Sequence, residues 1–346
     1  MDLQTFWFCL IAFLWSAYFV LEGFDFGVGM LLPFLPRDEQ ERGEMFETIG
    51  PVWDGNEVWL VIAGAATFAA FPAWYGAMFS GLYLALLLVL LFLIIRVVSF
   101  EWRDKSKSPR WRAVWMWANT VGSFGVTLIW GVGLSNLLYG LPLNSDGDFT
   151  GTFWDLFHGY TVLGGVTLAL LFVFHGSTYL TIRTVGDLCT RATYAARRLS
   201  VVAVLAVAGF LSWTVAVAVD RNDKSVFPPV LPAALAIAAV ALALVFVALR
   251  RSGWAFAATA IATVGWVATL FTSLYPRVMV SSPSFANSLT VDSASSAHYT
   301  LVVMSVVAAI FVPLVLLYQG WTYHVFRARV GGREVRLPSA GGSPAA

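Results

Sequence analysis

Long apolar runs alternate with short polar stretches along almost the whole chain. Crossing the ~30 Å hydrocarbon core of a bilayer takes roughly 20 apolar residues in a helix. Nine runs approach or exceed that length, at about 3–34, 54–71, 74–99, 113–138, 153–182, 199–219, 228–249, 253–275 and 299–326. The pattern predicts an all-α, polytopic integral membrane protein with about nine transmembrane helices and no soluble domain. Residues 1–330 read as one transmembrane helical domain, and 331–346, GGREVRLPSAGGSPAA, as a disordered cytoplasmic tail. The first run carries no basic stretch before it and no A-x-A site after it, so it reads as a helix and not a signal peptide. The stretch 276–298 is rich in Ser, Asn and Pro, as a surface loop would be.

Composition narrows the class further. Hydrophobic residues make up 59% of the chain and charged residues 12%. A soluble domain carries about 25% charged residues, so this chain cannot coat a water-facing surface. Its net charge of +1 gives no reason to expect nucleic acid. Of its two cysteines, Cys9 lies in the first apolar run and Cys189 in a basic stretch, which does not suggest a disulfide framework.

The placement of charge says more than its total. With nine spans, 17 of the 21 Lys and Arg residues fall on one side, in stretches 35–53, 100–112, 183–198, 250–251 and the tail. Only Arg221, Lys224 and Arg277 fall on the other, and Arg96 lies within a span. Basic residues accumulate on the cytoplasmic side. The N-terminus is therefore expected outside and the C-terminus in the cytoplasm of a bacterial plasma membrane.

Ionisable residues inside a membrane are costly and usually functional. Glu22 and Asp25 lie three apart in the first span, and so share a helix face. Asp54 and Glu57 repeat that spacing in WDGNEVW at the start of the second. Arg96 lies near the end of the third, followed by Glu101, and His175 lies in the fifth. The alternating directions of the spans bring these positions to the inner third of the bilayer. Glu22, Asp25, Asp54, Glu57, Arg96 and Glu101 are thus candidates for a proton pathway. Plainer roles compete: residues near an interface can snorkel, Asp54 can cap a helix, and Gly23, Gly27 and Gly29 can permit close packing. Pairing of Arg96 with one acid would leave the others to carry protons.

The histidines give no cofactor pattern. A lone His175 in a helix reads as a hydrogen-bonded polar residue. His158 and His298 fall near the outer face, and His324 near the inner end of the last span. No two histidines lie four apart, so a bis-His haem site on one helix is absent. There is no Walker A, CxxC or GxGxxG motif, no metal site, and no self-contained catalytic site.

At these motifs the chain resembles subunit II of the cytochrome bd quinol oxidases. The resemblance rests on LEGFDFGVGMLLP (21–33), GPVWDGNEVWLVIAGAATFAAFP (50–72) and RVVSFEW (96–102). It continues through GSFGVTLIWGVGLSNLLYG (122–140), HGSTYLTIRTVGDL (175–188) and SSPSFANSLTVDSASS (281–296), and so runs essentially end to end. The short region 220–228 departs from members that carry a longer insertion there. The resemblance implies a subunit of a respiratory terminal oxidase that oxidises quinol and reduces dioxygen to water in aerobic electron transport. It implies two four-helix bundles plus a peripheral helix. It places haem b, haem d and the quinol site in a partner subunit I, and leaves this chain with no haem ligand and no catalysis of its own. Small accessory subunits and bound lipid or quinone are further partners it allows. Asp25, Asp54, Trp53, Trp59 and Arg96 match family motifs, and Glu22 holds an acidic family position. Gly55 and Asn56 fall within the same block, and His175 stands where some members have Gln.

A proton-coupled secondary transporter is the rival reading, since glycine-rich spans with intramembrane acids suit that class too. Against it, the acids lie near one face rather than at the midplane, and no inverted repeat is visible.

Overall fold

The computed structural model describes residues 2–224 and 229–331. The anticipated tail therefore falls, from residue 332 on, outside the described residues, as do Arg333 and Arg336 and part of the short 220–228 region.

The chain is almost entirely helical. In order it forms α1 (Leu3–Leu31), α2 (Glu39–Ile49), α3 (Trp53–Ala70), α4 (Pro72–Gly81), α5 (Tyr83–Trp102) and α6 (Pro109–Tyr139). There follow α7 (Gly159–Arg183), α8 (Gly186–Asn222), α9 (Val230–Ala248) and α10 (Ser252–Leu274). A two-stranded hairpin, β1 (Arg277–Met279) with β2 (Leu289–Thr290), leads through the single turn α11 (Val291–Ala294) to α12 (His298–Val325). Among the described residues, eight helices are long and apolar enough to cross a membrane, and the pair α3–α4, bent by 120°, brings the number to nine if it counts as one span.

Two groups of four helices form the body. α1, α3, α5 and α6 make one group, α7 to α10 the other, and α1 and α6 pack on α7 to join them. α12 lies at the periphery: only Leu301 and Gln319 are buried along it. It is held at one end by Trp7, whose indole donates to Leu301 O (3.2 Å) and Ser305 Oγ (3.1 Å). Small residues let the two groups approach. A Cβ on Gly27 would strike the Phe172 carbonyl oxygen, and one on Gly176 would strike the Gly27 backbone. Gly27→Ala is therefore expected to destabilise the protein by about 1–3 kcal/mol, the usual cost of overpacking. Gly43→Ala, where a Cβ meets nothing within 4 Å, should be silent. Thermal unfolding of the purified variants checks the contrast.

The polarity pattern misplaced some boundaries, for local reasons. The apolar run 74–99 is not one helix. α3 and α4 meet at a 120° bend at Phe71, and the chain breaks again at Leu82 before α5. Pro72 lacks the amide hydrogen that would continue α3 and disfavours helical geometry at Phe71, yet it suits the first position of α4. The stretch 35–53 is not simply a loop, because it contains α2. Asp38 caps that helix by accepting from the Glu41 amide (2.9 Å). The stretch 183–198 is largely the first turns of α8, which runs on through the polar segment into the apolar one. Residues 153–156 form a separate 3₁₀ turn before α7.

α2 closes the end of the molecule where most described basic residues gather. Glu41 accepts from Arg191 Nη2 (2.5 Å) and from the Arg37 amide (2.6 Å). Arg103 Nη2 reaches Glu39 (2.9 Å), and Tyr179 donates to Thr48 O (2.8 Å). Burial pushes the Glu41 carboxyl up, but the bonds from Arg191 and Arg37 outweigh it and hold the group below the usual glutamate value.

Candidate functional site

Two turns of α1, the first turns of α3 and the last turns of α5 meet at the α2 end of the first helix group. α1 brings Glu22 and Asp25, both with 0% exposure. α3 brings Asn56 and Glu57, and α5 brings Arg96, also fully buried. Helical spacing does this: residues three apart on α1 face the same side, and α3 runs back along that side.

Arg96 is the hub. Its Nη1 lies 2.7 Å from Glu22 Oε1 and 3.0 Å from Glu57 Oε1. The Phe26 and Phe100 ring centres lie 4.8 Å and 5.4 Å from the guanidinium carbon, which favours the cation further. Two acids share one arginine, rather than the single partner expected.

Asp25 belongs to a second, linked cluster. Its Oδ2 accepts from Asn56 Nδ2 (2.7 Å), which also donates to Leu21 O (3.2 Å). Asn56 Oδ1 accepts from Gln319 Nε2 (2.9 Å) and Tyr323 OH (2.8 Å). Both ends of the Asn56 amide are thus satisfied in one orientation. Asp25 Oδ1 and Glu22 Oε2 are buried without a hydrogen-bond partner among the described residues. A buried carboxyl oxygen in that state is costly unless it binds a proton or a water.

The other anticipated residues sit around this core. Asp54 is exposed in the first turn of α3; the cap position is Val52, and no side-chain oxygen caps the helix. Asp54 therefore does not meet Asp25 across the helices; Asn56 occupies that place. Glu57, at 22% side-chain exposure, lies between exposed Asp54 and buried Arg96. Glu101 is exposed at the end of α5 and joins no described ion pair. Trp53 stacks on Phe100 at 5.3 Å, closing α3 against α5. Gly55 lies beside Gln319, whose Oε1 would be 3.5 Å from a Cβ there, an ordinary contact that does not require glycine. Trp59 is buried and meets Phe13 edge-on at 6.2 Å.

Tyr18, Gln319 and Tyr323 were not singled out from the sequence. Tyr18 is one helical turn before Glu22, and its buried hydroxyl has no partner among the described residues. Gln319 and Tyr323 lie four apart in an otherwise apolar helix, a spacing that marks one polar face.

His175 is fully buried on the α7 side of α1. Its Nδ1 lies 2.7 Å from Thr259 Oγ1 and its Nε2 3.1 Å from Val20 O. Phe256 stacks flat on it at 4.6 Å. Both ring nitrogens are engaged and one ring face is covered, so this residue does not fit a haem iron.

Comparison with known proteins agrees with this architecture. The family model for cytochrome bd terminal oxidase subunit II matches residues 3–326. The cytochrome bd ubiquinol oxidase subunit 2 of Bacillus subtilis is 42% identical over 336 residues, covering 96% of this chain and 98% of that one. The cytochrome bd-I ubiquinol oxidase subunit 2 of Escherichia coli K12 is 36% identical over 365 aligned positions, covering 96% of each. Among solved structures, the bd oxidase from Geobacillus thermodenitrificans superposes with a TM-score of 0.75 at 15% identity, covering 94% of this chain and 99% of that one; it supports the fold alone. The match to the family model and to relatives along nearly their whole length places the chain in the cytochrome bd terminal oxidase subunit II family.

Proposed function

We propose that, within a bd-type oxidase, this chain does two things: it supports the haem-bearing subunit I, and it carries protons inward from the cytoplasmic face. The oxidase removes electrons from quinol and reduces dioxygen to water, which consumes protons. Haem b and haem d of subunit I supply the oxygen chemistry, and no step in this chain runs through them. The observation that carries the reading is the graded series of acids. Asp54 is exposed, Glu57 is half-buried beside it, and Glu22 and Asp25 are fully buried around Arg96. Arg96 holds Glu22 and Glu57 in place, while the free oxygens of Glu22 and Asp25 are the atoms that take and release a proton. Subunit I packs on the face formed by α3, α5 and α12. That face supports the reading because α12 exposes apolar side chains along almost its whole length and Glu57 on α3 is partly exposed, a charged group unsuited to lipid.

Expressed without subunit I, the chain is expected to give no haem spectrum. A stoichiometric haem in the isolated chain would sink the division of labour. Affinity purification from native membranes should bring down a haem-bearing partner with red-shifted d-type absorbance, whereas a colourless homo-oligomer would support a transporter. The orientation is tested by C-terminal fusions. Alkaline phosphatase should be inactive there and a fluorescent protein should glow; the reverse pattern would overturn it.

A further inference from the structure

We infer that an anionic phospholipid is seated in a groove between α6 and α8, with an acyl chain inside and its phosphate held by Arg198 and Arg191. The groove has a volume of about 800 Å³. Its walls are apolar: Phe34 after α1, Trp117, Val121 and Phe124 on α6, Val173 on α7 and Leu199 on α8. None of its lining residues comes from α3, α5 or α12, so it is separate from the acid cluster and from the face assigned to subunit I.

One end of the groove is cationic. Arg191 already donates through Nε to Leu35 O (2.8 Å) and through Nη2 to Glu41 (2.5 Å). Its Nη1 is buried with no hydrogen-bond partner among the described residues. Arg198, which also lines the groove, makes no ion pair with a described residue. It directly precedes the apolar run 199–219, so its guanidinium lies at headgroup depth. Tyr194 and Trp117 line the same groove and are of the residue types that favour the membrane interface.

The combination selects the ligand class. A free phosphate would satisfy the arginines but leave the apolar walls uncovered. A neutral isoprenoid would fill the walls but leave Arg198 without a counter-charge, whereas Arg191 is already paired with Glu41. A zwitterionic lipid fills the groove and brings no net charge. An anionic phospholipid answers both parts, and Arg offers a phosphate a two-pronged donor set.

The test uses the intact purified oxidase. After delipidation by detergent exchange, phosphatidylglycerol or phosphatidylcholine is added in mixed micelles. Thermal unfolding and native mass spectrometry are then recorded. Phosphatidylglycerol should raise Tm more than phosphatidylcholine, and one anionic lipid should remain bound. Arg198→Gln should weaken its retention about fivefold, since one basic residue at a membrane surface contributes that order of affinity, and should shrink the difference between the two lipids. Val121→Trp fills the groove without changing charge and should also expel the lipid. Equal effects of the two lipids on the wild type, unchanged retention in both variants, or a neutral quinone found in the groove instead would each overturn the proposal.

Discussion

Arg96→Met is expected to abolish accumulation of assembled, haem-loaded oxidase. The substitution keeps most of the side-chain volume but leaves Glu22, with 0% exposure, and Glu57 without their shared cation. Removing one partner of a buried ion pair costs about 3–5 kcal/mol. That is a large part of the 5–15 kcal/mol by which proteins are typically stable. It also removes the link between α3 and α5, which otherwise rests on the Trp53–Phe100 stack at that end. The compensated variant separates charge from packing. Arg96→Met with Glu22→Met removes both members of the fully buried ion pair, and replacing a whole buried pair by apolar residues is often neutral. It should recover much of the lost haem yield, with the half-exposed Glu57 still able to reach water. Haem per milligram of membrane protein reads both. Normal yield from the single variant would mean that Arg96 does not hold the cluster together.

Asp25→Asn is expected to do the opposite: full haem yield with turnover lowered roughly tenfold or more. Asn keeps the shape and can still bond Asn56, but it cannot release a proton at neutral pH. Positioned proton-transfer groups commonly contribute that much rate or more. Asp25→Glu retains the carboxyl and should keep more activity. Asp54→Asn should be milder, since Asp54 is exposed and neighbouring water can replace it. Oxygen consumption per haem d, measured beside haem yield, discriminates the roles. Lost haem with normal turnover at the remaining sites would make Asp25 a scaffold residue.

The chain announced its class through its polarity pattern, because a bilayer allows few ways to satisfy a backbone. The convergence of Glu22, Asp25, Glu57 and Arg96 followed from span direction alone, since alternating helices return distant residues to one depth. What the pattern did not carry was lateral placement. Asp54 and Asn56 are two residues apart on α3, about 200° around the helix, and only packing against α1 reveals that Asn56 turns inward. Gln319 and Tyr323 lie on a helix some 260 residues away in sequence, and apolar periodicity does not say which helix they meet. The break into α4 and α5 was hidden for the converse reason. α4 and α5 are both apolar, so hydropathy runs straight through the turn at Leu82, whereas the bend at Pro72 fell between two separate apolar runs.

The most direct test of proton supply through this chain is proton uptake itself. Fully reduced oxidase in oriented proteoliposomes is mixed with oxygen, with a pH-sensitive dye on the Lys- and Arg-rich side. Wild-type enzyme should take protons from that side as oxygen is reduced. Asp25→Asn should bind oxygen at the normal rate but take up protons about tenfold more slowly, in step with its slower turnover. Proton uptake unchanged in rate and side in Asp25→Asn would contradict the account and confine this chain to a supporting role.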